Sequence, residues 1–285
     1  MAQAYVGISG WRYPGWRGAF YPPGLPQRQE LAYASARLNS VEINGSFYSL
    51  QRPEYFRAWS AQTPEGFVFA VKGPRFIHHL KKLADVATPL ANFLASGVLA
   101  LGPKLGPILW QLPPVLGYDA ERREGFLRLL PRSTAEAARL AAGHDERLEG
   151  RAWTEVDADR PLRHALEVRH ASFGVAAQDG SLLRLLERHA VALVLADTAG
   201  RWPLLDHSTA GFRYARLHAD AELYVSGYTG EALDRWAERV RGWLADGCDV
   251  HVYFDNDAKV RAPVDAMGLR DRLGISSCAP SPAAG

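Results

Sequence analysis

Residues 212–218, Phe212-Arg213-Tyr214-Ala215-Arg216-Leu217-His218, read as a strand whose two faces differ. Successive side chains of a strand point to opposite sides, so Ala215 and Leu217 share one face and Tyr214, Arg216 and His218 share the other. A sheet covered by helices on both sides needs two apolar faces. The inner wall of a closed barrel, by contrast, is free to turn polar at its carboxyl rim. This run therefore argues for a barrel, provided that the other strands repeat its pattern.

They do repeat it. Short apolar runs bounded by Gly, Pro or charged residues lie at 5–9, 41–44, 67–72, 108–112, 164–169, 191–197 and 249–255, which makes eight strands with 212–218. One parity of these runs is apolar throughout: Ile8, Val41, Ile43, Phe69, Val71, Ile108, Trp110, Leu166, Val168, Val194, Ala196, Val250, Val252 and Phe254. The other parity carries Gly7, Ser9, Glu42, Asn44, Ala70, Lys72, Leu109, Gln111, Ala165, Glu167, Arg169, Leu195, Asp197, His251, Tyr253 and Asp255, with its polar members toward the carboxyl ends. Between the strands, apolar residues three and four apart predict helices at 29–38, 54–61, 90–96, 120–130, 135–142, 182–189 and 231–245, and a closing helix at 263–273. The connection 198–211 holds Gly200, Pro203 and Gly211, so the helix after strand six is expected to be short or missing. The expectation is an α/β fold, a single (β/α)8 TIM-type barrel over residues 1–275. The Pro, Ser and Ala tail at 276–285 is expected to be disordered, and residues 143–160 to form a surface excursion.

Composition narrows the class further. A chain of 285 residues that is 47% hydrophobic can bury a full barrel core. Its 33 basic residues exceed the 31 acidic ones by two, which is not the strongly basic balance of a dedicated nucleic-acid binder. Cys248 and Cys278 are too few for a disulfide framework and favour a reducing compartment. The chain enters its first strand within a few residues, without a signal-peptide pattern, and no run has membrane-spanning length, so a cytoplasmic protein without a membrane partner is expected.

Several segments, taken together and in order, resemble a known family. They are Gly7-Ile8-Ser9-Gly10-Trp11, Val41-Glu42-Ile43-Asn44-Gly45-Ser46-Phe47-Tyr48, Phe69-Ala70-Val71-Lys72, Gln111-Leu112-Pro113-Pro114, Glu167-Val168-Arg169-His170, Arg216-Leu217-His218 and Tyr253-Phe254-Asp255-Asn256. The set resembles the family called domain of unknown function 72, also described as YecE-like, and spans almost the whole chain. The resemblance implies a TIM barrel with a pocket near these motifs and brings no assigned reaction. Three positions depart from the family pattern: Asp255 where Asn is more usual, Asp265 where Asn often precedes Ala, and Ala219 where Gly is usual.

The predicted rim gathers Glu42, Glu167, Asp197 and Asp255 against Lys72, Arg169 and Arg216, with His218 beside them. One reading is a salt-bridge network that plugs the barrel, since buried charges must be paired. The other is an active site, because perturbed ionisable groups in a cleft mark functional positions. On that reading Glu42 and Glu167 divide acid and base roles, with Lys72 and Asp197 as further catalytic candidates. An imine at Lys72 requires a neutral amine, and neighbouring carboxylates are expected to favour the ammonium instead. Arg169 and Arg216 present forks suited to carboxylates or phosphates. Trp11, Asn44, Tyr48, Gln111, His218, Tyr253, Asp255 and Asn256 complete the predicted substrate contacts.

Aromatic loop residues Tyr13, Trp16, Phe20, Tyr21, Phe47, Trp202, Tyr224 and Tyr228 serve mainly as anchors on this reading, while Arg12 and Arg17 among them are placed to meet phosphates. His78, His79, His218 and the four carboxylates supply the ligand types of a divalent-metal site, although adjacent histidines lack the spacing that aims two imidazoles at one ion. No metal ligand is assigned. Neither a dinucleotide fingerprint nor a Walker motif occurs, so no nucleotide cofactor is expected. The expected function is acid/base chemistry, hydrolysis or isomerisation, on a small anionic or carbohydrate-like ligand. The alternatives are a nucleic-acid or nucleotide-binding barrel and a metal-dependent phosphodiesterase. The sequence leaves the oligomeric state open.

Overall fold

The computed structural model describes residues 1–219, 227–257 and 259–275. Nine parallel strands form one sheet: β1 (Ala4–Ser9), β2 (Ser40–Ile43), β3 (Val68–Lys72), β4 (Leu105–Gln111), β5 (His164–Glu167), β6 (Val191–Leu193), β7 (Leu195–Thr198), β8 (Phe212–Ala219) and β9 (Asp249–Phe254). Their order is β6-β5-β4-β3-β2-β1-β9-β8-β7. The two edge strands are consecutive pieces of one run, interrupted only at Val194. In the first piece Val191 and Leu193 pair with His164 and Leu166 of β5, and in the second Leu195 pairs with Ala215 of β8. The Val194 amide still donates to the Leu166 carbonyl at 2.9 Å. The chain itself thus joins the two edges, and the fold is the eight-stranded TIM-type barrel with strand six divided between its neighbours.

That division corrects the predicted faces of strand six. Ala192, Val194 and Ala196 join Ala70, Leu109, Ala165, Phe212, Tyr214 and Tyr253 in the barrel interior, while Leu193 and Leu195 belong to the outer core under the helices. The rings of Phe212, Tyr214 and Tyr253 fill much of the interior, so strand six turns its smaller residues Ala192, Val194 and Ala196 inward and its bulkier Leu193 and Leu195 outward. Asp197 therefore shares the outward parity with Leu195. The other seven strands keep their predicted faces, with Val41, Ile43, Phe69, Trp110, Leu217 and Phe254 among the outer core.

At the amino end the interior is closed by stacked rings. Tyr5 lies on His251 at 4.7 Å between centroids, and Tyr214 packs on Tyr253 at 5.2 Å. Burial, reinforced by Arg163, lowers the His251 pKa to about 3, so the imidazole behaves as a neutral core ring.

Helices fill the connections as predicted, within a few residues at each end: Glu30–Ser35, Pro53–Ala61, Ala87–Ala95, Ala120–Leu129, Thr134–Ala141, Ser181–Arg188, Gly230–Ala245 and Arg261–Leu273. Ser133 caps one of them, accepting from the Glu136 amide at 3.3 Å. A helix at Ser172–Gln178 and shorter turns at Gly45–Tyr48 and Phe76–Leu80 lie outside the predicted elements, the two turns being too brief for a periodic signal. No helix occupies 199–211. No helix among the described residues is long and apolar enough to cross a membrane. The predicted tail 276–285 and Tyr224 lie outside the described residues.

Gly7 faces inward where β1 and β2 approach most closely: a Cβ there would sit 2.0 Å from the Ser40 carbonyl oxygen. Because backbone must yield to admit a methyl group, Gly7→Ala should lose about 1–3 kcal/mol of unfolding free energy. Urea denaturation followed by circular dichroism reads that loss, and an unchanged midpoint would refute the close approach.

Candidate functional site

Arg216, fully buried at the level of the rim, is the hub of the inner wall. Its Nε and Nη2 donate to the two Glu42 carboxylate oxygens at 3.1 and 3.0 Å. Nη1 donates to Glu167 Oε2 at 2.7 Å and to Gln111 Oε1 at 3.3 Å. Nη2 also reaches Asp255 Oδ2 at 2.9 Å and Ser9 Oγ at 3.2 Å. Glu42 is further saturated by the Ser9 hydroxyl at 2.9 Å and the Tyr214 hydroxyl at 2.7 Å. The remaining Glu167 oxygen accepts from Arg169 Nε at 2.7 Å. His218, also buried, places Nδ1 3.0 Å from Asp255 Oδ2 and accepts at Nε2 from Arg216 Nη1 at 3.4 Å.

Desolvation alone would push these carboxyls toward their neutral forms. It is outweighed by Arg169 and Arg216 at Glu167, and by Arg216 and His218 at Asp255, which hold both groups well below the usual carboxylate range. Burial is likewise overcome at Arg216, whose pKa is raised by Glu42, Asp255 and Glu167.

A cavity of about 650 Å³ opens above this hub. Its position is set by turns at the strand ends. Gly10, at φ +82°, bends the chain after β1 while its amide donates to the Glu42 carbonyl at 2.9 Å, which brings Trp11 over the rim. Tyr13 locks the same loop by donating to the Ser9 carbonyl at 2.5 Å. The Ser46 hydroxyl, 2.7 Å from the Lys72 carbonyl oxygen, ties the Gly45–Tyr48 turn to the end of β3.

Of the predicted residues, Trp11, Asn44, Tyr48, Lys72, Gln111, Arg169 and Asp255 line the cavity together. Trp11 is braced edge-on by Trp59 at 5.3 Å, whereas Tyr48 is 72% exposed at the mouth. Glu42, Glu167, Arg216 and His218 gather just below and are sealed by their mutual bonds. Tyr253 lies one layer deeper, its hydroxyl 2.7 Å from Ser40 Oγ. Asn256 is buried behind the wall, where its Nδ2 donates to Asp265 Oδ2 at 2.8 Å; that carboxylate also accepts from the Tyr228 amide at 3.0 Å. Asp197 is set apart from the ring by its outward parity, with the Tyr228 hydroxyl donating to it at 3.0 Å.

Arg17 is drawn away by Glu30 at 2.8 Å, and Trp16, Phe20 and Tyr21 pack on one another and on Tyr33 as anchors of the first loop. Arg12 and Tyr13 do line the cavity, as do Phe47, Gln51, Trp59 and Asp257. Asp257 was missed because it lies beyond the last strand, where parity no longer applies. Its pKa is raised by burial and by the Asp255 charge.

His78 and His79 sit beside Phe47, with Nδ1 atoms 2.7 Å apart. Burial first, and then nearby positive charge, lowers their pKa values to about 3 and about 4. The structure does not bring them together with the rim carboxylates as ligands: no group of three or more His, Cys, Asp or Glu among the described residues is arranged to hold a metal ion.

The sequence profile of the family described as "Protein of unknown function DUF72" matches residues 5–284. The chain belongs to this family. UPF0759 protein YecE of Escherichia coli K12 is 31% identical over 113 residues, 40% of this chain and 39% of YecE; this chain therefore matches well under half the length of that relative. UPF0759 protein YunF of Bacillus subtilis is 35% identical over 68 residues, 24% of this chain and 23% of YunF. Crystal structures of DUF72 family proteins from Thermotoga maritima and Enterococcus faecalis superpose with TM-scores of 0.71 at 22% and 18% identity. They cover 95% and 96% of this chain and 99% and 96% of their own. At those identities the likeness concerns the fold, and the family brings no reaction with it.

Removing the Arg216 guanidinium leaves buried carboxylates without their cation. Arg216→Met should cost about 3–5 kcal/mol near neutral pH. The pH dependence should separate the two proteins. In the parent, Glu167 and Asp255 have depressed values, so their contribution is complete above the unfolded carboxylate range and is lost as pH falls through the lower folded values. In the variant, the orphaned carboxyls bind protons more readily when folded, so its deficit should shrink as pH falls from 7 to 5. Thermal melts across that range check this, and a pH-independent deficit would contradict it.

Proposed function

We propose that the rim cavity is the active site of an enzyme that acts on a small anionic, carbohydrate-like substrate by acid/base chemistry of the isomerase or hydrolase kind. The observation that carries this reading is the state of Arg169. Its Nε is fixed by Glu167 at 2.7 Å, and its guanidinium lies 3.9 Å from the centroid of the Trp202 ring. Among the described residues its two Nη nitrogens have no hydrogen-bond partner, and the side chain lines the cavity. A guanidinium held in place with one edge unengaged is a ready fork for a carboxylate or phosphate.

The rest of the lining suits such a ligand. Trp11 and Tyr48 offer faces for a sugar ring or carbon chain, and Asn44 and Gln111 offer amides for hydroxyl groups. The acid/base assignment moves from Glu42 and Glu167, both engaged by Arg216, to the ionisable groups that reach the cavity. Burial and Arg216 lower the Lys72 pKa to about 8, and Asp257 is shifted upward. Groups moved toward neutrality in opposite directions provide a base and an acid in one site.

Calorimetric titration with sugar phosphates and hydroxy acids tests this reading. Arg169→Ala should weaken the best binder by about tenfold or more, the worth of a charge-assisted hydrogen bond. Because it also removes the Glu167 ion pair, the variant should melt at a lower temperature, and binding is compared well below that melt. Absence of binding by every anion tried, or retention of duplex and single-stranded nucleic acid instead, would overturn it.

A further inference from the structure

Lys72 ends β3 and enters the cavity from below, only 8% exposed. A buried ammonium ordinarily carries a carboxylate partner. Here the carboxylates nearby are engaged elsewhere: Glu42 and Glu167 by Arg216, and Asp255 by Arg216 and His218. Among the described residues the Lys72 amine makes no hydrogen bond and no ion pair. It lies 4.5 Å from the centroid of the Phe47 ring, whose other neighbours are the imidazoles of His78 and His79. The expectation that carboxylates favour the ammonium holds in direction, since Glu42, Asp255 and Glu167 each raise the amine's pKa, but burial and Arg216 outweigh them.

We propose that Lys72 is a nucleophile that condenses with the carbonyl carbon of a small anionic aldehyde or ketone to form an imine, a step that rests on reading the cavity as a ligand site. The amine lone pair forms the N–C bond while the carbonyl π electrons move to oxygen, which takes up a proton. Loss of an N–H proton and departure of that oxygen as water then leave C=N. One amine and one carbonyl give one imine and one water, with no oxidant or reductant. Asp257, with its carboxyl shifted toward the protonated form, is the acid available to the departing hydroxyl. Arg169 is placed to hold the substrate's anionic group.

The electrostatics agree with this geometry. Burial and Arg216 lower the amine's pKa to about 8 against the opposing pull of Glu42, Asp255 and Glu167. His78 and His79, themselves held neutral, offer the amine no counter-ion. A neutral fraction therefore exists near physiological pH, as imine formation requires.

The chain's four other lysines provide an internal control, because Lys81, Lys82 and Lys259 are exposed and Lys104 is half-buried. The intact protein is incubated with pyruvate or dihydroxyacetone phosphate and sodium cyanoborohydride, then weighed and mapped by mass spectrometry. The expected result is one adduct per chain, on Lys72, at about tenfold the yield of any exposed lysine. That yield should rise as pH passes the amine's value near 8. Labelling that follows exposure, with Lys72 unmodified, overturns the proposal. Mapping the parent protein needs no variant, and Lys72→Met, checked for folding by its melt, should lose the adduct.

Titration with glycerol 3-phosphate and lactate, which lack the carbonyl, separates the two readings. Binding of these analogues with no adduct on Lys72 overturns the imine and leaves the ligand site standing. Neither binding nor adduct overturns both.

Discussion

The structure depends on a single guanidinium placed where water does not reach. Arg216 projects inward from β8 and bonds to Glu42 of β2, Glu167 of β5, Gln111 of β4, Ser9 of β1 and Asp255 just after β9. These contacts cross the barrel and join six strand ends through one planar group. Each carboxylate is costly to bury, and each is tolerated because its oxygens meet oriented donors. Arginine suits the position because its charge persists under desolvation and its five donors are fixed in a plane. A lysine would offer three donors on a tetrahedral head and could not address both Glu42 oxygens and Glu167 in the same way.

The hub also determines what lies above it. With the rim carboxylates bound from below and from the side, the cavity has a rigid polar floor whose donors and acceptors are largely satisfied. The groups left to face a ligand stand around that floor: the amine of Lys72, the Nη edge of Arg169, the amides of Asn44 and Gln111, and the rings of Trp11 and Tyr48. Two functions that the sequence places on one ring of charges are thus separated by depth. The lower layer closes the barrel electrostatically, and the upper layer is available to a ligand. The ion-paired plug and the cavity are both present, stacked along the barrel axis.

That stacking explains how far the sequence could be read. Alternation along seven strands assigns the inner and outer faces correctly, because a face follows from parity alone. Depth does not, since it depends on strand stagger and side-chain length. Glu42 and Lys72 are both inward-facing residues near strand ends, yet one is sealed and the other reaches the cavity. Tyr253 is inward too, and lies a layer below both. Parity itself failed at strand six, where the run 191–198 changes partners at Val194 and small residues take the inner places among the rings. Asp197 was misplaced for that reason. Asp257 sits on a loop, where no periodicity exists to be read.

The departures from the family pattern gain a physical meaning from the same layering. Asp265, one of the positions at which the sequence resemblance leads one to expect an amide, accepts from both Asn256 Nδ2 and the Tyr228 amide, and burial shifts its pKa upward. A carboxylate oxygen can accept two such donors without itself donating, so the exchange keeps the last strand's loop anchored. Asp255 is different, because it adds a negative charge at the cavity floor rather than behind it. A neutral amide there would leave Arg216 and His218 with less to bind, and the third carboxylate completes the donor fork that Glu42 and Glu167 do not fill. The cost falls on Lys72. Asp255 attracts the amine electrostatically but gives its Oδ2 to Arg216 and His218, so that, among the described residues, Lys72 feels three carboxylates and is bonded to none.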